Sequence, residues 1–160
     1  MSKEMMTKSV MKDIQVALRY FKTEYGRYPV QADETKILRS AGVLLVSLMA
    51  EHPLSNPRNI KFIDLPFTKE IGGGIIDHAG GADRPPKPEN WELRDIWGEQ
   101  FHVLIDSNED GQIQNPEAGG KSRWFSRYVP TPTLQTNVAI FSSGPDRDSN
   151  TWEDNICSWR

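Results

Sequence analysis

Met6, Val10, Ile14, Ala17, Leu18, Phe21 and Tyr25 recur at intervals of three and four residues, so in a helix they share one face. Lys8, Lys12, Asp13, Arg19, Lys22 and Glu24 fall largely elsewhere on the wheel. Gly26 can take the left-handed conformation that ends a helix, and Pro29 prevents its resumption. Nothing strong caps the beginning. The pattern simply starts, as it would in a helix that continues a longer one.

A second helix is expected over 34–51. Asp33 is placed to cap it, and Ile37, Leu38, Ala41, Leu44, Leu45, Leu48 and Met49 form its apolar face. Pro53 and the Asn56-Pro57 pair close it. Residues 53–95 read as irregular, because Gly72-Gly73-Gly74, Gly80-Gly81 and Pro85-Pro86-Lys87-Pro88 forbid long regular elements. The glycine triplet lacks the Gly-Lys-Ser/Thr of a phosphate loop and reads as a mobile loop. From Trp97 the pattern turns to strands. Phe101–Ile105 is an apolar run broken only by His102, Gln112–Gln114 is expected to return against it, and Asn137–Phe141 is a further strand closed by Ser142-Ser143-Gly144-Pro145-Asp146. Helices first and a small antiparallel sheet afterwards give an α+β fold in one domain of 160 residues.

Charge and composition exclude several functions. Nineteen basic against 22 acidic residues, net −3, leave no basic stripe for nucleic acid. The longest nearly apolar run, Ala41–Ala50, is broken by Ser47 and too short to span a bilayer, so the chain as it stands reads as soluble. Cys157 is the only cysteine, which rules out an intrachain disulfide; a small, partly buried side chain is its expected role. His52, His78 and His102 form no metal-binding pair, and no nucleophile elbow occurs. Trp91, Trp97, Trp124, Trp152 and Trp159 all lie in the second half, where a small sheet needs them as core.

Two acidic stretches carry candidate metal chemistry. In the first, Asp106, Asn108, Asp110 and Gln112 alternate around Gly111, and Glu117 stands at the twelfth position, as in a calcium loop. Its flanks read as strands and Pro116 blocks an exiting helix, so an Asp- and Asn-rich hairpin turn remains the alternative. In the second, Asp146, Asp148, Asn150, Glu153 and Asp154 crowd one loop, where either a cation or plain solvation can screen the charges.

Three segments together resemble one family. The run from Asp13 to Pro29, with Ala17-Leu18, Tyr25-Gly26 and Tyr28-Pro29, resembles the end of the long N-terminal helix of type II secretion pseudopilins, in the type IV pilin superfamily. Asp95-Ile96-Trp97-Gly98, followed by Phe101, resembles that family's Asp-Pro-Trp-Gly-x-x-Tyr, with Ile96 in place of proline. Ser142-Ser143-Gly144-Pro145-Asp146, then Asp154-Asn155-Ile156 and Trp159, resembles its last strand and C-terminal loop. The stretch 53–93 is longer than in compact members, and the leader and hydrophobic half-helix of the family are not in this sequence.

The resemblance to major pseudopilins implies a pilin-like fold, with the first helix gripping a small antiparallel sheet. It implies a non-enzymatic filament subunit that pushes folded proteins across an outer membrane. Its partners would be copies of itself, other pseudopilins and an inner-membrane assembly platform, and the domain would be periplasmic on an inner-membrane anchor. It also implies calcium in the C-terminal loop, with Asp146 and Asp154 as acidic ligands, backbone carbonyls around Ser143 and Thr151 completing the shell, and Asp148 assisting. A type IV pilin or minor pilin is the near alternative. A carbohydrate-binding or hydrolytic module using Trp91, Trp124 and the acidic loops is the distant one.

Overall fold

A computed structural model describes residues 2–32, 36–77, 88–119 and 130–160. Asp33, His78, Gly80-Gly81, Pro85 to Lys87 and Trp124, all named above, lie outside the described residues. The architecture is α+β: an N-terminal helix, a four-stranded antiparallel sheet and two short strand pairs.

Helix α1 spans Lys3–Tyr25 and ends at Gly26, whose φ is 69°. Contrary to the sequence expectation its start is capped: Ser2 accepts a hydrogen bond from the Met5 amide at 3.1 Å. The buried stripe is Thr7, Met11, Ile14, Ala17, Leu18 and Phe21. At its N-terminal end the stripe therefore runs through Thr7 and Met11, and Met6, expected inside, is 41% exposed. Thr7 can be buried because its hydroxyl donates to the Lys3 carbonyl at 2.8 Å.

The main sheet has the order β1 (Leu38–Arg39), β4 (His102–Ile105), β7 (Val138–Ser142), β8 (Ile156–Cys157). Its register sorts the side chains cleanly. Val103 pairs with Ile140 and Ile105 with Val138, and these four pack in the cluster that holds Ile14, Leu18 and Phe21 of α1. His102 pairs with Phe141 and Leu104 with Ala139, and Leu104, Ala139 and Phe141 join a second cluster with Ile113, Leu134, Trp152 and Cys157. With both faces covered, the two central strands are apolar at nearly every position. Each fully buried Leu, Ile or Phe side chain contributes about 1.5–3 kcal/mol.

The expected second helix is shorter than 34–51. Helix α2 covers only Gly42–Leu48, and Leu38–Arg39 instead pairs with Val103 and His102 at the sheet edge. Ile37 is exposed. Pairing wins here because Ser40 binds both ways. Its hydroxyl donates to the Leu93 carbonyl at 2.6 Å and accepts from the Phe101 amide at 2.9 Å. Ala41 is then extended, and Gly42 takes a φ of 60° that a side chain would resist.

The region expected to be irregular contains a strand pair, β2 (Gly74–Asp77) with β3 (Trp91–Arg94). The glycine triplet is a close backbone contact rather than a mobile loop. A Cβ on Gly72 would lie 2.0 Å from the Asp95 carbonyl oxygen, and one on Gly74 would lie 2.6 Å from that of Pro66. Likewise β5 (Ile113–Gln114) does not return against β4; it pairs with β6 (Thr133–Leu134). The places beside β4 are already taken by β1 and β7.

Asn56, 1% exposed, fastens the segment after α2. Its amide donates to the Ser47 and Ile60 carbonyls at 2.8 and 2.7 Å, and its carbonyl accepts from the Ile60 amide and the Tyr25 hydroxyl. Asn56→Ala leaves these partners unsatisfied and is expected to lower unfolding free energy by about 2–3 kcal/mol in urea titrations.

Candidate functional site

The third segment of the resemblance folds as a loop from Ser143 to Asn155, between β7 and β8. Gly144 opens it with a φ of 75°, and a Cβ there would lie 2.2 Å from the Asp154 carbonyl oxygen. The two ends of the loop thus touch through a position only glycine fits. The Asp146 amide donates to Asp154 Oδ2 at 3.3 Å. The Thr151 hydroxyl lies within hydrogen-bond reach of Asp154 Oδ1, at 3.0 Å, and of Asp146 Oδ2. Asp146, Asp154 and Thr151 are therefore gathered around one point.

The two carboxyls differ electrostatically. Slight desolvation pushes Asp146 up, but hydrogen bonds from Thr151 and the Asp148 amide outweigh it and hold the group below the usual carboxylate range. Asp154 is pushed up, by burial first and by the charge of Asp146 as well. Asp148 accepts from the Asn150 amide at 2.9 Å and so caps the loop internally. Ser143 is buried, and its hydroxyl faces His102 Nε2 at 3.1 Å. Its side chain is therefore not among the oxygens at Asp146.

These donors suit calcium in kind, since hard cations take carboxylate, hydroxyl and carbonyl oxygens together. The fit rests on the Asp146–Thr151–Asp154 convergence. Among the described residues no group of three or more His, Cys, Asp or Glu is arranged to hold a metal, so two carboxylates would depend on neutral oxygens for the remaining shell.

The first acidic stretch is built differently. Asp106 is buried and accepts from the Gly111 and Asp110 amides at 2.8 and 3.3 Å. Asn108 accepts from the Asp110 amide at 3.2 Å and Asp110 from the Gln112 amide at 3.1 Å. The alternating oxygens thus cap their own turn. Glu117 turns elsewhere: its fully buried carboxylate pairs with Arg160 at 3.3 Å and accepts from the Trp159 indole at 3.2 Å.

Sequence reasoning missed what joins the second and third segments of the resemblance. Asp95, 2% exposed, accepts from the Trp97 and Glu99 amides, each at 3.0 Å, and from the Ser142 hydroxyl at 2.6 Å. Burial pushes its carboxyl up while these donors oppose the shift. Arg147 Nη2 pairs with Glu99 at 2.8 Å, tying the loop to the same turn. An Asp two residues before an amide-rich turn is the one sequence sign that could have pointed to Asp95.

No family model, curated protein or solved structure matches this chain. Among the described residues no helix is long and apolar enough to cross a membrane.

Two outcomes check this geometry. Gly144→Ala should cost more than about 2 kcal/mol in urea unfolding, because it adds both positive-φ strain and a backbone clash. The His102 imidazole is pushed down to about 4 by burial and the nearby Arg39 guanidinium. A base buried neutral contributes stability that is complete above its unfolded value near 6.5 and is lost as pH falls toward 4. The slope approaches about 1.4 kcal/mol per pH unit between those values. Urea titrations at pH 7 and 4.5 should show that loss, and His102→Phe, which keeps an aromatic ring against Phe141, should flatten it.

Proposed function

We propose that this protein is a non-enzymatic subunit of a type II secretion pseudopilus, with a type IV pilin or minor pilin as the nearest alternative. The observation that carries the reading is the way α1 lies on the sheet. One stripe is buried in the core while Met5, Val16 and Tyr20 stand 61%, 39% and 62% exposed on the same helix. A helix with apolar side chains left outside its own core is suited to contact with other copies. Repeated head-to-tail contacts that do not close generate a filament.

In this reading Asp146 and Asp154 hold calcium, with Thr151 beside them and Asp148 supporting the loop. The cation would neutralise two carboxylates that otherwise repel, and binding only the ordered loop would stabilise it by mass action. The rival platform of aromatic side chains is not favoured by Trp91, which is buried against the edge of Phe67.

Two measurements test the proposal. A thermal melt in EDTA, repeated with calcium or magnesium, should show a calcium-specific rise in Tm that disappears in Asp146→Ala plus Asp154→Ala. A rise that survives the double variant would move the ion to Asp106, Asn108 and Asp110. Separately, Val16→Cys in the cell envelope of the source organism should give a ladder of oligomers with a heterobifunctional thiol-to-amine cross-linker, since each subunit then supplies one accessible thiol and its own lysines. A monomer alone at that position sinks the filament reading, whatever calcium does.

A further inference from the structure

The sheet lays Arg39, His102, Phe141 and Cys157 side by side as successive cross-strand partners from one edge to the other. The His102 ring stacks on Phe141 with centroids 4.3 Å apart and planes 4° from parallel, and Trp152 packs on Phe141 at 4.8 Å. Beside this row is a cavity of about 380 Å³, with Ile37, Arg39, His102, Phe141, Asn150 and Trp152 among its lining residues.

The polar groups in this recess are unbalanced. Arg39 Nη1 lies 3.3 Å from His102 Nε2. An arginine N–H can only donate, so Nε2 accepts and the neutral ring carries its proton on Nδ1. Among the described residues no carboxylate pairs with Arg39, whose one side-chain contact there is with His102. Arg39, at the exposed rim, is the one arginine, lysine or carboxylate among the residues lining the recess. The other walls are mixed, with Ile37, Pro116, Phe141 and Trp152 apolar and Ser149 and Asn150 polar, which suits an amphipathic ligand better than a hydrated ion.

We propose that this recess binds a small monocarboxylate carried on an apolar body, its carboxylate pairing with the Arg39 guanidinium and the Asn150 amide and its body lying against Ile37 and Trp152. A planar guanidinium matches a carboxylate bidentately, and one arginine beside a neutral histidine balances one negative charge. Two or three charges, as on phosphate, would exceed what the walls supply. The site uses none of the Asp146 and Asp154 carboxyls, so it stands independently of the filament reading.

The test is a benzoate titration of the whole protein, followed by the imidazole resonances of His102 and by tryptophan fluorescence. Saturable binding is expected below about 20 mM, with a rise in the His102 pKa as the anion offsets Arg39. Benzamide, neutral and of the same shape, should bind at least about tenfold more weakly, and so should benzoate to Arg39→Gln. Arg39 is solvent-exposed on a two-residue edge strand, so a circular-dichroism melt should confirm that the variant folds. Asn150→Ala, on the exposed loop, gives a second variant that should also weaken benzoate. Equal binding by Arg39→Gln, equal binding of benzamide, a response to inorganic phosphate but not to benzoate, or no saturable response each overturns the proposal.

Discussion

The pairing of β4 with β7 is the constraint on which the rest of this structure depends. Four residue pairs place two aliphatic couples toward α1 and an aromatic and an aliphatic couple toward the opposite side. A slip of one residue would exchange the faces and put His102 against the helix. The edge strands and the long helix are positioned by this ladder. The helix lies on one face, where Gln15 also donates to the Val138 carbonyl at 2.9 Å. The paired β5 and β6 and the C-terminal loop close the other. The edge strands β1 and β8 are two residues long, which leaves little unpaired backbone for unwanted association.

Polar groups then fix what the apolar contacts leave free. Ser40 joins the main sheet to β3, Asp95 joins the 95–99 turn to the end of β7, and Glu117 joins a 3-10 turn to the final residues. All three are buried and hydrogen-bonded, as buried polar groups must be to avoid a large desolvation cost. They lie at the seams between units that the hydrophobic clusters alone would not orient.

The long helix was legible from its period, and the two central strands from short apolar runs closed by turn residues. The error over 34–51 has a clear physical origin. Leu38, Ala41, Leu45 and Leu48 are spaced for a helix, but Ser40 has two backbone partners far away in sequence, and local spacing carries no trace of them. The β2–β3 pair hid behind the glycines, which look like breakers until the carbonyls they approach are known. At the candidate site the choice of Asp146 and Asp154 out of the acidic loop came from the family resemblance, and their convergence is seen in the fold. The Arg39–His102–Ser143 contacts had no sign in the sequence, since they join three separate strands or their ends. Glu117 had the right spacing for a calcium loop and a different partner, because spacing cannot say which way a side chain turns once an arginine and an indole from the end of the chain compete for it.

Cys157 ends the cross-strand row that begins at Arg39, on the far edge strand, and is 2% exposed. As the sole thiol it doubles as a built-in clock for the sheet edge. A reagent can reach it only when β8 lifts from β7, so the rate of its modification reports how often that edge opens in the native protein. Anything that tightens or loosens the C-terminal loop, which leads directly into β8, would change the ticking of that clock without any label having been added.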